Sequence, residues 1–62
     1  MGKETPDWEQ VREYTERHMR AWERWPHGDI KEAWVEEGIT CIRYQDGTWY
    51  HYREVGNELE WW

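Results

Sequence analysis

His18, His27, His51 and Cys41 are the residues of this chain whose types suit metal binding or nucleophilic attack. Their separations match no paired zinc-ligand spacing such as C-x2-C or H-x3-H, so no metal site is expected. A cysteine nucleophile needs a base held beside it, and nothing in the sequence supplies one to Cys41. There is no glycine-rich phosphate loop and no Ser/His/Asp signature. The chain is therefore expected to carry no catalytic residues and no cofactor, and to be non-enzymatic.

A different chemistry is concentrated in TWYHYREVGNELEWW, Thr48 to Trp62. It holds three of the seven tryptophans and two of the four tyrosines of a chain without phenylalanine. Such rings either fill a core or face a partner. At 62 residues the chain has room for one domain, 1–62. A domain of this size buries only about 60% of its unfolded surface and usually needs a staple. One cysteine excludes an internal disulfide. Aromatic packing is the expected substitute, because each ring buries roughly 150–250 Å².

Fourteen acids face eight Lys and Arg, for a formal net charge of −6. High charge with low hydropathy is the signature of disorder, but an aromatic content of 18% argues for a folded miniature domain. Strands studded with Tyr and Trp can stack bases. The charge opposes that use, since phosphate binding is driven by cations, and the Arg12, Arg17, Arg20 and Arg24 cluster is interrupted by acids. Single-stranded nucleic-acid binding is thus the weaker alternative, beside an acidic protein that mimics nucleic acid to inhibit its binder. A sugar platform built from Trp and Tyr is a further option. No segment approaches the ~20 apolar residues of a membrane span, so no membrane partner is expected. Residues 1–10 show neither an apolar signal core nor a completed myristoylation motif, which gives a cytoplasmic expectation.

The elements that must position these groups follow from local signals. Thr5 as N-cap, Pro6 at the first helical position and the early acids Asp7 and Glu9 open a helix over about 6–25. Trp8, Val11, Thr15, His18, Trp22 and Trp25 form its apolar stripe, widened by Tyr14 and Met19. Glu13–Arg17 and Glu16–Arg20 pair four apart on the other side. Pro26 and His27-Gly28 end it. The remainder reads as four strands, about 30–36, 39–45, 48–55 and 58–62, separated by Glu37-Gly38, Asp46-Gly47 and Gly56-Asn57. The first can also be written as a short helix, because Asp29 and Glu32 have capping-box spacing. The strand is preferred, giving an α+β fold in which one N-terminal amphipathic helix packs on a small antiparallel meander of three to four strands.

With Asp46-Gly47 as a two-residue loop, Gln45 lies opposite Thr48, and alternation sorts the strands into two faces. One face carries Trp34, Ile39, Cys41, Tyr50, Tyr52, Leu59 and Trp61; the other carries Ala33, Val35, Ile42, Tyr44, Trp49, His51, Val55 and Trp62. One helix covers only one face, and the first has the more compact apolar set. The second is left as a platform of Ile42, Tyr44, Trp49, His51 and Trp62, rimmed by Arg53 and Glu60. Contiguous exposed apolar surface marks an interaction site. The expected function is a small protein-interaction module or homodimer, with protein, self or other, as the partner.

Overall fold

The computed structural model describes residues 4–62. One helix, α1 (Trp8–Arg20), precedes four strands: β1 (Ile30–Glu36), β2 (Ile39–Tyr44), β3 (Trp49–Val55) and β4 (Glu58–Trp61). The strands form a single antiparallel sheet in the order β1-β2-β3-β4. This is the helix-on-meander architecture expected from the sequence, with the segment from 30 to 36 a strand. Glu4 adds a bridge to the outer edge of β1, its amide donating to the Val35 carbonyl at 2.9 Å and its carbonyl accepting from the Val35 amide at 3.0 Å.

The helix starts later and ends earlier than its pattern suggests. Asp7, not Thr5, is the N-cap; its carboxylate accepts from the Glu9 amide at 3.1 Å. At the other end Ala21 is the C-cap, and the chain leaves helical geometry before Trp25. The stripe does not stop there, but a loop continues it. A straight helix would carry Trp25 about 10 Å along the axis past His18, whereas the two rings lie 4.8 Å apart, edge to face. The Trp25 indole donates to the Gly28 carbonyl at 2.7 Å, which fixes the loop's fold-back. The buried face of α1 is Val11, Tyr14, Thr15 and His18, while Trp8 and Trp22 at the stripe's ends are exposed.

The β2–β3 connection differs from the expected two-residue turn by one residue, with large consequences. Arg43 pairs with Trp49, and Ile42 with Tyr50. The Tyr44 amide donates to the Thr48 carbonyl at 2.8 Å and the Gly47 amide to the Tyr44 carbonyl at 2.9 Å, so the loop is Gln45-Asp46-Gly47. This is the three-residue hairpin closed by a left-handed residue, here Gly47 at φ +91. Two contacts with His27 and one bond within the turn explain the choice. The Asp46 amide donates to the His27 carbonyl, its Oδ2 lies 2.6 Å from His27 Nδ1, and its Oδ1 accepts from the Thr48 amide at 2.9 Å. A two-residue turn would need Asp46 at positive φ and would swing those groups away.

A one-residue slip exchanges a strand's faces, so the faces read from the sequence are corrected. The helix covers Ala33, Val35, Thr40, Ile42, Tyr44, Tyr50, Tyr52, Leu59 and Trp61. The opposite, outer face carries Trp34, Ile39, Cys41, Arg43, Trp49, His51, Arg53, Val55 and Trp62. The core is Val11, Tyr14, Ile42, Tyr44 and Tyr52, with Trp25, Ile30, Ala33, Tyr50, Leu59 and Trp61 packed around it. Among the described residues no helix is long and apolar enough to cross a membrane.

Candidate functional site

Of the five residues expected to form the platform, the structure separates two. Ile42 and Tyr44 have no exposed surface and lie beneath the helix. Trp49, His51 and Trp62 share the outer face and touch one another. The Trp49 and His51 ring centroids are 4.8 Å apart, and His51 stacks almost parallel on Trp62 at 4.9 Å. Trp34, placed under the helix by the sequence reading, instead joins this ladder at its other end, 5.4 Å from Trp49.

The ladder exists because of one cross-strand row. Trp34 pairs with Cys41, Cys41 with His51, and His51 with Trp62, the last through two backbone hydrogen bonds of 2.9 and 3.2 Å. Cys41 is the small member of that row. It is fully buried, with its thiol donating to the Ile39 carbonyl at 3.7 Å, on the face opposite to the one expected. A small residue in the middle lets larger rings on either side lean together, the large–small alternation that fills a packed layer.

An arginine closes each end. Arg43 lies over Trp34 and Arg53 over Trp62, both 5.6 Å from the ring centroid. Arg43 is held by Glu32 at 3.5 Å and Arg53 by Glu60 at 2.8 Å. The Arg53–Glu60 pair, expected at the rim, is thus half of a two-ended arrangement whose other half, Glu32–Arg43–Trp34, the sequence reading missed. Glu32 lies opposite Arg43 across the Glu37-Gly38 turn, so the pair was legible in the alternation of β1 and β2; only its place beside Trp49 on the outer face needed the correct hairpin register. Beside His51, toward the β1–β2 turn, lies a pocket of about 210 Å³ lined by Glu36, Glu37, Ile39 and His51.

The inner face holds the polar groups with chemistry of a different kind. Thr15, Tyr44, Tyr52 and His18 form a buried hydrogen-bonded series, with steps of 3.2, 2.6 and 2.7 Å ending on His18 Nδ1. His18 Nε2 has no hydrogen-bond partner among the described residues. The imidazole is enclosed by Trp25, Tyr50, Tyr52 and Trp61, the last stacked at 4.1 Å. Burial, helped by His27, holds its pKa down at about 4, and burial also pushes the Tyr44 and Tyr52 phenols up.

A second series runs from Asp46 through His27 to the Tyr50 hydroxyl, the last step 3.3 Å from His27 Nε2. The hydrogen bond from His27 holds the Asp46 carboxyl below its usual range. Carboxylate, imidazole and hydroxyl in this order resemble an acid–base relay. Here the Tyr50 ring is packed edge-on against His18 and between other rings, and the series fastens the loop of residues 21–29 to the β2–β3 turn. Among the described residues no three His, Cys, Asp or Glu side chains come together in a way that could hold a metal. His18 and His27 belong to the core and the loop latch, and His51 and Cys41 to the outer row.

Comparison with protein-family models, with curated proteins and with solved structures finds no match to this chain.

Proposed function

We propose that the protein is a non-catalytic protein-interaction module whose contact surface is the outer sheet face. Trp49 and Trp62 are the anchors, His51 the ring between them, and Arg53–Glu60 the rim. The observation that carries this reading is the exposure of two tryptophans that already touch a common ring: Trp49 is 40% and Trp62 53% exposed. The one helix is spent on the other face, so these rings stay open to solvent while the inner ones are buried. Tyr and Trp suit such a role because they present a large apolar body at low conformational cost. Truncating a central aromatic anchor typically costs about 2 kcal/mol or more of binding.

An acidic mimic of nucleic acid gains less support, because the acids are distributed over helix and sheet and form no single stripe. Stacking of single-stranded nucleic acid on Trp49 and Trp62 would have to overcome a net charge of −6.

The test is sedimentation equilibrium from micromolar to near-millimolar protein at raised salt, where repulsion between acidic copies is screened. A concentration-dependent association that disappears in Trp49→Ala, with circular dichroism unchanged, is the expected result. Loss of the folded spectrum in Trp49→Ala would make that ring part of the core. Association that persists unchanged in the folded variant would move the contact surface elsewhere, and a monomer at every concentration would count against a self-complementary face.

A further inference from the structure

We infer that the outer face receives an arginine-bearing segment of a partner protein. The guanidinium enters the pocket bounded by Glu36, Glu37, Ile39 and His51, and the exposed rings of Trp49 and Trp62 cover the residues that flank it. The inference rests on the outer face being a contact surface and adds the chemistry of what it contacts.

Charge selects the partner. The two arginines of the face are both committed, Arg43 to Glu32 and Arg53 to Glu60. The carboxylates beyond those pairs are Glu36 and Glu58 on the face and Glu37 at its turn. The Trp34 indole donates to one oxygen of Glu36 at 3.2 Å, and the other oxygen is not engaged in that bond. A second copy of this chain brings like charge against this rim, so self-association is the weaker contact that raised salt allows, whereas a cation is attracted to the rim. The lining of the pocket also suits an arginine. Ile39 offers an apolar wall to the methylene stem, His51 a ring edge, and the two carboxylates acceptors for a planar fork of donors. A guanidinium uses such a set better than an ammonium does, because it stacks and hydrogen-bonds at once.

The face already shows the same recognition within its own chain. Each end of the ring ladder carries an arginine laid on a tryptophan and tethered by a glutamate. A partner arginine would meet a comparable set at the pocket, with His51 as the ring and Glu36 and Glu37 as the carboxylates. Glu37 also offers a clean way to test the pocket. It occupies the left-handed region at φ +51, followed by Gly38 at φ +78. Asn or Asp is the usual residue at the first position of such a turn. A glutamate there is locally unfavourable, so Asn in its place removes a carboxylate from the pocket without weakening the turn.

The test uses a fluorescein-labelled hexa-arginine peptide and reads anisotropy with the full chain at low salt. Three proteins are compared: wild type, Glu37→Asn in the pocket, and Glu16→Gln on the exposed surface of α1, which removes the same charge elsewhere. The expected result is binding by wild type, a loss of about fivefold in Glu37→Asn, and little change in Glu16→Gln. Because Asn suits the turn, Glu37→Asn should also melt at a higher temperature than wild type, so weaker binding cannot be ascribed to a weakened fold. Equal losses in the two variants would reduce the effect to overall charge and overturn the inference, as would weaker binding joined to a lower melting temperature. No binding by wild type would overturn it directly. If Trp49→Ala still abolished self-association in that case, the contact face would stand and only the basic partner would fall. Binding of an oligothymidylate that is lost in Trp49→Ala, with no binding of hexa-arginine, would assign the face to nucleic acid instead.

Discussion

The two faces of the sheet are built from similar rings and held by opposite physics. On the inner face Tyr44, Tyr50, Tyr52, Trp25 and Trp61 surround His18, and each buried hydroxyl is joined to a neighbour. On the outer face Trp49, His51 and Trp62 lie in line beside the buried Trp34, flanked by charged side chains that remain partly in water. Buried hydroxyls must be satisfied or they cost stability; exposed indoles need no partner and can offer their surface to one. The same residue types thus serve as structure on one face and, in the proposed function, as contact surface on the other. What separates the two roles is which face the helix covers.

The contrast is broken most severely from the inside. Tyr44→Ala removes a fully buried ring from the core, which should cost about 3–5 kcal/mol. A domain this small has roughly 3–9 kcal/mol in total, so urea titration should find about a third or more of the stability lost. A variant with near wild-type stability would mean that the inner rings are loosely packed.

Acid should discriminate the faces next. An unfolded chain protonates its histidines near pH 6.5, whereas His18 in the fold resists until about pH 4. The unfolded state therefore takes up the proton first. The contribution of neutral His18 is complete above pH 6.5 and drains away as pH falls from 6.5 toward 4, by roughly 3 kcal/mol in all. Among the described residues the groups that face this imidazole are Trp22, Trp25, Tyr50, Tyr52 and Trp61, with His27 beyond, and no carboxylate is among its ring or hydrogen-bond partners to steady the charge. The depressed Asp46 carboxyl acts in the same direction but only below its ordinary range, near pH 3.8. Urea unfolding at pH 7 and pH 4.5 measures the slope, and His18→Phe should flatten it whatever its effect at pH 7. An unchanged slope in that variant would place the acid sensitivity elsewhere.

Smaller losses sharpen the comparison. Tyr52→Phe deletes the hydroxyl between Tyr44 and His18 Nδ1 and should cost about 1–3 kcal/mol by leaving both without that partner. Trp49→Ala should cost about 1 kcal/mol or less in the same denaturation experiment, while removing the association described above. If Trp49→Ala proved the more damaging of the two, the division between structural and contact rings would be wrong.

Much of the fold was legible because its signals are local. Thr5 and Pro6 mark the helix start to within two residues of the observed cap at Asp7, and the Gly-containing turns delimit four strands. The pairings across Glu37-Gly38 and Gly56-Asn57, including Arg53 with Glu60 and His51 with Trp62, follow from those turns alone. The candidate site was legible only in part. Trp49, His51 and Trp62 were placed together because they sit on β3 and its partner strand, on the far side of the misread turn. Ile42 and Tyr44 on β2, with Trp34 on β1, were assigned to the wrong face because one extra loop residue reverses every side chain beyond it.

By itself the sequence determined the element order, the antiparallel meander and the surplus of rings over what one helix can cover. These depend on spacing along the chain, on turn residues and on the period of apolar side chains. Only the tertiary structure decided which rings are core and which are surface. That choice rests on Asp46, whose backbone and carboxylate are bound by His27 from a loop nineteen residues away. Those contacts select the three-residue hairpin, the hairpin sets the register, and the register decides which face meets the helix. A contact between distant segments has no trace in local propensity, because its energy exists only once both segments are already in place.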